Sequence, residues 1–280
     1  MRIAATFAIA ATTFFISESA MPASTPPAAA KKPKIMEKFG DRRVDDYFWL
    51  RDKANPEVVD YLKAENAYTD EYMQPLEGFR EKLYKEMLAR IKETDESVPY
   101  RKRGYWYYTR EVEGKQYPIY CRRKGAMEAP EEVMLDVNLL AEGKKFTQVS
   151  ALEVSPDGGI LAYTVDFTGF RQYTAYFKEL ATGKLLDDKL ERVDSMAWSA
   201  DGKHLFYVVE DDAKRPYRLL RHALGTPKDA LLLEEKDELY NLGVADTRDE
   251  KWIVTTSASK DASEVRVLRS TDPMGTFRLI

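Results

Sequence analysis

Hydrophobic and polar positions change their spacing once along the chain, close to residue 97. Upstream of this point, apolar residues recur every three to four positions, which is typical of helices with one buried face. From Val98 onward they alternate with polar positions, which is typical of half-buried β-strands. The pattern therefore predicts a helical segment followed by a larger β-domain.

Two helices are predicted within residues 35–97. The first begins after Asn55, a residue type that caps the first turn, with Pro56 at the first helical position. It ends near Met73, because Pro75 disfavours helix in the residue before it. Apolar residues step by four along one face of the second helix: Phe79, Leu83, Met87 and Ile91. Residues 35–97 are therefore expected to form a helical N-terminal extension.

A polar turn followed by a strand recurs in the β-domain. Its clearest occurrences contain Asp157 and Asp201, each followed directly by glycine and then by an apolar strand. A more divergent occurrence contains Asp249, and a weaker one contains Arg103 and Gly104. The aspartates are spaced by about 45 residues, a spacing typical of propeller blades. Asp and Gly favour such turns because they relieve the backbone where the chain reverses.

Further strands follow each turn, so that the β-domain, residues 98–280, divides into four units of four short strands. The units cover residues 98–135, 148–187, 192–233 and 239–280. Four strands in about 40–50 residues are the sequence pattern of β-propeller blades. A β-sandwich with irregular turns is the alternative, but it leaves the recurring aspartate unexplained. The predicted fold is mainly β, an incomplete propeller preceded by a helical extension.

The first residues are expected to lie outside this fold. Residues 1–20 contain Arg2 and an uncharged apolar run from Ile3 to Ile16, the pattern of a secretory signal peptide. Residues 21–34 are rich in Pro and Ala, which is linker composition. A true signal implies a periplasmic or secreted protein, and otherwise the chain is cytoplasmic. No membrane span is expected in the mature chain, because the apolar run is too short.

Composition excludes several function classes. The formal net charge is −4, from 43 basic and 47 acidic residues, so no basic field for nucleic acid is expected. The single cysteine, Cys121, excludes an intrachain disulfide. The sequence has no glycine-rich phosphate loop, no His or Cys pair at metal-ligand spacing and no acidic calcium loop. We therefore expect no metal, no cofactor and no nucleic-acid partner.

A hydrolytic active site is not recognisable in the sequence. A serine hydrolase needs a nucleophile, a base and an orienting acid, and no Gly-x-Ser-x-Gly elbow occurs. The two histidines, His204 and His222, lie in predicted strands, and a structural role is predicted for both. Two pairs of adjacent carboxylates are predicted to be solvated turns: Asp187 with Asp188, and Asp211 with Asp212. No catalytic, substrate-binding or metal-binding residue is assigned.

Several segments resemble the prolyl oligopeptidase family of serine peptidases. The segment Phe39–Asp52 resembles the lead-in motif of that family. Four further segments resemble its oligopeptidase B branch: Arg90–Pro99, Gly114–Lys124, Thr168–Tyr173 and Glu234–Glu238. The resemblance extends from about Lys34 to Ile280, with the segments in the expected order and spacing.

The resemblance implies an N-terminal extension, a seven-bladed propeller and a C-terminal α/β-hydrolase domain that bears the catalytic Ser, Asp and His. It implies cleavage of short peptides after Arg or Lys, with the propeller capping the active site and excluding large folded substrates. Only the extension and about four blades are present in this sequence. The hydrolase domain of the same polypeptide is therefore the implied partner, and this chain alone is expected to be inactive.

Two other interpretations remain open. The first is a stand-alone four-bladed propeller that acts as a non-enzymatic binding module, since closed four-bladed rings exist. Against it, the first 97 residues offer no strand that would complete a last blade, and the chain ends within a strand near Leu279. The second is a related peptidase specific for proline, because specificity is implied to reside in the absent domain.

One loop is a candidate for contact with another domain. Residues Asp166–Arg171 lie between two predicted strands and present Phe170 and Arg171 where a neighbouring domain would reach them. A solvated inter-strand loop is the alternative.

Overall fold

The computed structural model describes residues 25–280. The chain divides into a first compact unit that ends at Lys92 and a second, Glu93–Ile280. The predicted signal peptide, residues 1–20, lies outside the described residues, as does the beginning of the predicted linker. The remaining linker residues up to Pro33 form neither helix nor strand. Within residues 25–280, no helix is both long and apolar enough to cross a bilayer.

The first unit contains a β-hairpin followed by two helices. Its elements are β1 (Lys34–Lys38), β2 (Asp41–Asp45), a 3-10 turn (Phe48–Arg51), α1 (Pro56–Met73), a 3-10 turn (Gln74–Leu76) and α2 (Glu77–Leu88). The Asn55 side chain accepts a hydrogen bond from the Glu57 amide, 3.0 Å away, so α1 begins at the predicted cap. α1 buries Val58, whereas Phe79 and Met87 of α2 are exposed.

The hairpin corrects two predictions, namely that residues 35–97 form a helical extension and that the first 97 residues offer no strand. β1 and β2 pair antiparallel, with Lys38 opposite Asp41. Between them Phe39 and Gly40 both adopt positive φ, 54° and 81°, as a two-residue type I′ turn requires. The sequence did not reveal this turn because its first position is occupied by Phe39. A bulky aromatic residue is strained at positive φ, so only Gly40 at the second position matches the usual pattern.

The second unit consists of four antiparallel sheets of four strands, in which consecutive strands are neighbours. The first sheet contains β3 (Tyr100–Lys102), β4 (Tyr105–Arg110), β5 (Ile119–Lys124) and β6 (Glu131–Asp136), and a short helix, α3 (Val137–Leu140), follows it. The second contains β7 (Gln148–Val154), β8 (Ile160–Asp166), β9 (Thr174–Glu179) and β10 (Leu185–Glu191). The third contains β11 (Val193–Trp198), β12 (His204–Glu210), β13 (Pro216–Ala223) and β14 (Ala230–Glu234). The fourth contains β15 (Asn241–Asp246), β16 (Trp252–Ala258), β17 (Ser263–Arg269) and β18 (Arg278–Leu279). The prediction of four units of four short strands is confirmed.

The hydrophobic core lies between successive sheets. Between the first and second sheets it includes Tyr107, Met134, Leu135, Leu161 and Val165. Between the second and third it includes Ala175, Phe177, Leu190, Met196 and Trp198. Between the third and fourth it includes Phe206, Leu219, Leu242, Ile253 and Leu268. Each sheet therefore depends on its neighbour for burial, as expected for a radial stack of blades.

The sheets differ in how many of their faces are covered. Residues 161–166 of β8 are all buried, so both faces of the second sheet are covered there. In β16 only alternate residues are buried, namely Ile253, Thr255 and Ser257. Because successive side chains point to opposite faces, the fourth sheet buries one face fully and the other only in part.

Candidate functional site

The recurring aspartates hold the turns between the first two strands of their sheets. Asp157 accepts hydrogen bonds from Ser155 Oγ at 2.5 Å and from the Gly159 amide at 3.0 Å. In the next sheet Asp201 accepts from Ser199 Oγ and from the Lys203 amide, the latter at 2.8 Å. In the fourth sheet Asp249 accepts from Thr247 Oγ1 at 2.7 Å and from the Lys251 amide at 3.2 Å. These carboxylates therefore have a structural role in the turns, and their contacts do not indicate a catalytic role.

Their hydrogen bonds also set their acidity. Burial alone would raise the pKa of Asp201, but donors from Ser199, Lys203 and His204 outweigh it and lower the pKa to about 2. The pKa of Asp157 is likewise lowered, chiefly by the Ser155 hydroxyl. Both carboxylates therefore stay ionised at neutral pH, which suits fixed turn residues rather than proton-transfer groups.

Among residues 25–280, neither histidine ring is hydrogen-bonded to a serine hydroxyl. His204 Nδ1 lies 2.7 Å from Asp201 Oδ2, within the turn that precedes its strand. His222 is buried, with Nδ1 2.7 Å from Asp229 Oδ1 and Nε2 2.9 Å from Asp188 Oδ1. Because both ring nitrogens of His222 face carboxylates, neither is available as a catalytic base.

One predicted pair of carboxylates is not a solvated turn. Asp187 and Asp188 lie in strand β10, where the pairing with β9 shifts register. The irregularity places the Asp188 side chain against His222 and against the Gly225 amide, 2.7 Å away. A bulge that redirects a side chain cannot be read from composition, which explains the wrong prediction.

The other predicted pair does lie in a turn. Asp211 accepts hydrogen bonds from the Ala213 and Arg215 amides, each at 2.9 Å. Asp212 is exposed and pairs with Arg192 Nη1 at 2.8 Å.

The candidate contact loop Asp166–Arg171 is ordered by its own first residue. The buried Asp166 carboxylate accepts from Thr168 N at 2.7 Å, Thr168 Oγ1 at 2.6 Å and Arg171 N at 2.7 Å. Burial opposes the ionised form of Asp166, but these bonds prevail and lower its pKa. Arg171 is exposed with a left-handed φ of 55°, and Phe170 is 67% exposed. Phe170 and Arg171 are thus exposed to solvent on a loop whose backbone is held by hydrogen bonds to Asp166.

This loop shares one end of the second unit with the connections between sheets. Strands in each sheet alternate in direction, so the second turn of a sheet and the connection to the next sheet lie at the same end. Consistent with this, Lys214 Nζ in the turn between β12 and β13 donates to the carbonyl of Phe170. Phe170, Arg171 and Lys214 therefore form one exposed apolar and cationic surface.

A group of charges that the sequence analysis missed lies at the opposite ends of the first strands. We call it the first-strand cluster; it comprises Lys102, Arg103, Glu153, Asp246 and Glu250. Arg103 Nε donates to Glu250 Oε2 at 2.7 Å, and Lys102 Nζ lies 3.4 Å from Asp246 Oδ2. Arg103 Nη1 also donates to the carbonyl of Val154 at 2.8 Å. The cluster therefore connects the first, second and fourth sheets.

The sequence indicates this cluster only through the positions of its members relative to the predicted strands. Its members occupy equivalent places, at the end of the first strand of a sheet or in the turn that follows. Beside the cluster a cavity of about 300 Å³ opens between the first two sheets, with Glu153 and several tyrosines in its wall. In the described part of the chain, no group of three or more His, Cys, Asp or Glu side chains is arranged to hold a metal ion.

Comparison with known families decides what these sheets belong to. The family described as "Prolyl oligopeptidase, N-terminal beta-propeller domain" matches residues 26–280. The chain belongs to the prolyl oligopeptidase family. The four sheets of the second unit are accordingly blades of the N-terminal propeller of a prolyl oligopeptidase-type protein, as their core packing indicates.

Relatives within the prolyl oligopeptidase family are similar over nearly the whole chain. "Dipeptidyl aminopeptidase BI" of Pseudoxanthomonas mexicana is 44% identical over 94% of this chain. "Protease 2" of Moraxella lacunata is 38% identical over 91% of it. The solved structure of oligopeptidase B from Leishmania major superposes on 91% of the chain with a TM-score of 0.83 and 32% identity. The predicted resemblance to oligopeptidase B is confirmed.

The chain spans 39%, 38% and 39% of the lengths of these three proteins, respectively. It therefore corresponds to well under half of a prolyl oligopeptidase-type peptidase.

Proposed function

We propose that this chain is the substrate-gating propeller portion of a serine oligopeptidase that cleaves short peptides after Arg or Lys. The observation that carries the proposal is the match of residues 26–280 to the propeller domain of a peptidase family, together with the superposition on oligopeptidase B. In this role the propeller performs no chemistry. It caps a C-terminal α/β-hydrolase domain of the same polypeptide and admits only short, unfolded peptides.

The first unit supports the presence of such a partner domain. One face of α2 carries three apolar side chains spaced by four residues: Phe79, Leu83 and Met87. Their exposed fractions are 65%, 40% and 52%, respectively. Apolar residues spaced by four on one helix face normally pack against another surface. We propose that the hydrolase domain covers this face of α2.

The first experiment is an immunoblot of source-cell extract against this segment. A band above twice 32.2 kDa, accompanied on fractionation by hydrolysis of fluorogenic peptides with Arg or Lys before the scissile bond, is expected. Substrates with proline at that position distinguish the proline-specific alternative. A serine-directed inactivator should abolish the activity. A band at or just below 32.2 kDa without hydrolysis would remove the enzyme proposal.

One observation favours the alternative of a stand-alone four-bladed binding module. Arg103 and Lys102 of the first sheet contact Glu250 and Asp246 of the fourth, so these two sheets are in contact through side chains. In the immunoblot this alternative corresponds to the band near 32.2 kDa.

We also propose that Phe170 and Arg171 contact the hydrolase domain. Their loop is fixed by Asp166 and exposed, as a preorganised contact requires. In the full-length enzyme, Arg171→Ala combined with Phe170→Ala is expected to lower peptide cleavage by several-fold. Lys184→Ala, in an exposed turn at the other end of the same sheet, is the matched control and should leave cleavage unchanged. Unchanged cleavage in the double variant would eliminate this contact.

Export is a separate proposal that rests on residues 1–20 alone. A signal peptide predicts that the mature protein begins close to Met21 and is recovered in the periplasmic or secreted fraction. N-terminal sequencing of the fractionated protein tests it. Recovery in the cytoplasm with residues 1–20 intact would contradict it.

A further inference from the structure

The cavity between the first two sheets has aromatic walls. Tyr100, Tyr107 and Tyr120 line it together with Met134 and Leu152, and the cluster cations Lys102 and Arg103 lie in the same wall. The Tyr100 and Tyr107 rings stack with centroids 5.4 Å apart and planes 21° apart. Its volume of about 300 Å³ lies at the small end of the range for ligand sites and suits one amino-acid side chain.

Glu153 lines the same cavity and has no partner of its own. No hydrogen bond or ion pair of its carboxylate occurs within residues 25–280 at ordinary distances. The two cations of the first-strand cluster are engaged elsewhere, Arg103 by Glu250 at 2.7 Å and Lys102 by Asp246 at 3.4 Å. The cluster holds three carboxylates and two cations, so one negative charge lacks a counterion.

Burial makes the ionised form of Glu153 unfavourable when it has no counterion. Burial raises the pKa of Glu153 to about 7; Lys102 and Arg103 oppose the rise, and Asp246 and Glu250 reinforce it. A half-buried carboxylate gains most from a cation that can reach it, because water solvates it incompletely. Tyrosine faces attract cations as well, and they also pack against an alkyl stem.

We propose that this cavity binds an alkyl guanidinium or alkyl ammonium group, such as the side chain of arginine or lysine in a peptide, with Glu153 as its counterion. The tyrosine rings contact the alkyl stem. The proposal rests on the proposed function only in taking a peptide as the source of the cation.

The test is equilibrium dialysis of the 280-residue chain against radiolabelled Nα-acetyl-arginine amide at pH 8. The neutral isostere Nα-acetyl-citrulline amide is the ligand control and should bind about tenfold more weakly, because it cannot pair with a carboxylate. Glu153→Gln should weaken arginine amide binding by about tenfold. Asp187→Asn, which removes an exposed carboxylate from another sheet face, should leave binding unchanged.

A pH series provides the second measurement. Between pH 8 and pH 6 the affinity of the unaltered chain should fall by about tenfold, since Glu153 becomes protonated, and this dependence should vanish in Glu153→Gln. Equal binding of citrulline amide, undiminished binding by Glu153→Gln or a flat pH profile would each overturn the proposal. Circular dichroism checks that the variant is folded. Because no cleavage is measured, failure here leaves the proposed peptidase role untouched.

Discussion

In the turns that carry the recurring aspartate, the next residue adopts a left-handed conformation, with φ of 77° at Gly158, 63° at Gly202 and 58° at Glu250. Gly202→Ala is expected to destabilise the fold by about 1 kcal/mol, because a β-carbon is strained there although space is available. Gly243→Ala, in strand β15 without positive φ, is the control and should cost nothing. Urea unfolding measures both; equal effects would contradict the conformational explanation.

Glu153 should make stability depend on pH. Its pKa is raised from 4.5 to about 7, so the folded state holds a proton that the unfolded state releases, and stability falls as pH rises through this interval. The loss amounts to about 3 kcal/mol above pH 7. Glu153→Gln should therefore be more stable than the unaltered chain at pH 8 by up to about 3 kcal/mol, and equally stable near pH 4.5.

Denaturant midpoints at the two pH values measure this difference. Glu128→Gln, a substitution at an exposed carboxylate, should change the free energy of unfolding by less than about 0.5 kcal/mol at either pH. A stabilisation by Glu153→Gln that is the same at both pH values would show that burial of the charge is not its cause.

Residue roles were predictable where the partners are close in sequence. Asp157 and Asp201 bond to atoms within three residues, so their turn role follows from a local pattern. Asp188 and Glu153 owe their environments to residues far along the chain, and no local pattern reveals them.

Among the elements, the outer strands of the second and third sheets are joined by His222. The ring lies between Asp188 of β10 and Asp229, which precedes β14, and Tyr207 also donates to Asp229 at 2.5 Å. Both ring nitrogens therefore contact carboxylates, one from the second sheet and one from the third. His222→Ala is expected to cost about 3 kcal/mol, because it removes both ring contacts from largely buried carboxylates, which keep only the Gly225 amide and the Tyr207 hydroxyl as partners.

The matched control is His204→Ala. His204 is more exposed and has one carboxylate partner, Asp201, which keeps its bonds from Ser199 and Lys203. A loss of about 1 kcal/mol or less is expected for it in urea unfolding. A similar loss for both variants would mean that the two ring contacts of His222 do not join the sheets.

Strands and helices were predictable to the extent that their apolar spacing is regular. α1 and the four-stranded sheets follow from helical and alternating periods. The hairpin of β1 and β2 was missed because its strands are mostly charged and have no buried face to produce alternation.

For the whole molecule, the chain alone is expected to self-associate. Apolar residues of α2 are exposed, and the fourth sheet is covered fully on one face only. Sedimentation velocity should show species heavier than 32.2 kDa, and serine at Phe79, Leu83 and Met87 should shift the distribution toward that mass. Serine at the exposed polar positions Arg80, Lys82 and Glu86 is the control. A sharp monomeric boundary for the unaltered chain would contradict the prediction.

At this scale the family and the stack of sheets were predictable, because a repeat of turn and strand specifies the packing of each unit on the next. The contact between the first and fourth sheets was not. It depends on long side chains, Lys102 and Arg103, that meet carboxylates more than a hundred residues away.

The connection between the second and third sheets is a single residue, Arg192, with a φ of 61°. Between the third and fourth sheets, by contrast, residues 235–240 separate β14 from β15. A protease binds several consecutive residues in an extended conformation, away from the rest of the fold. Trypsin cleaves after arginine, but Arg192 lies directly between two paired strands and cannot supply such a segment. Controlled digestion should therefore spare the junction at Arg192 and cut the longer connection at Lys236.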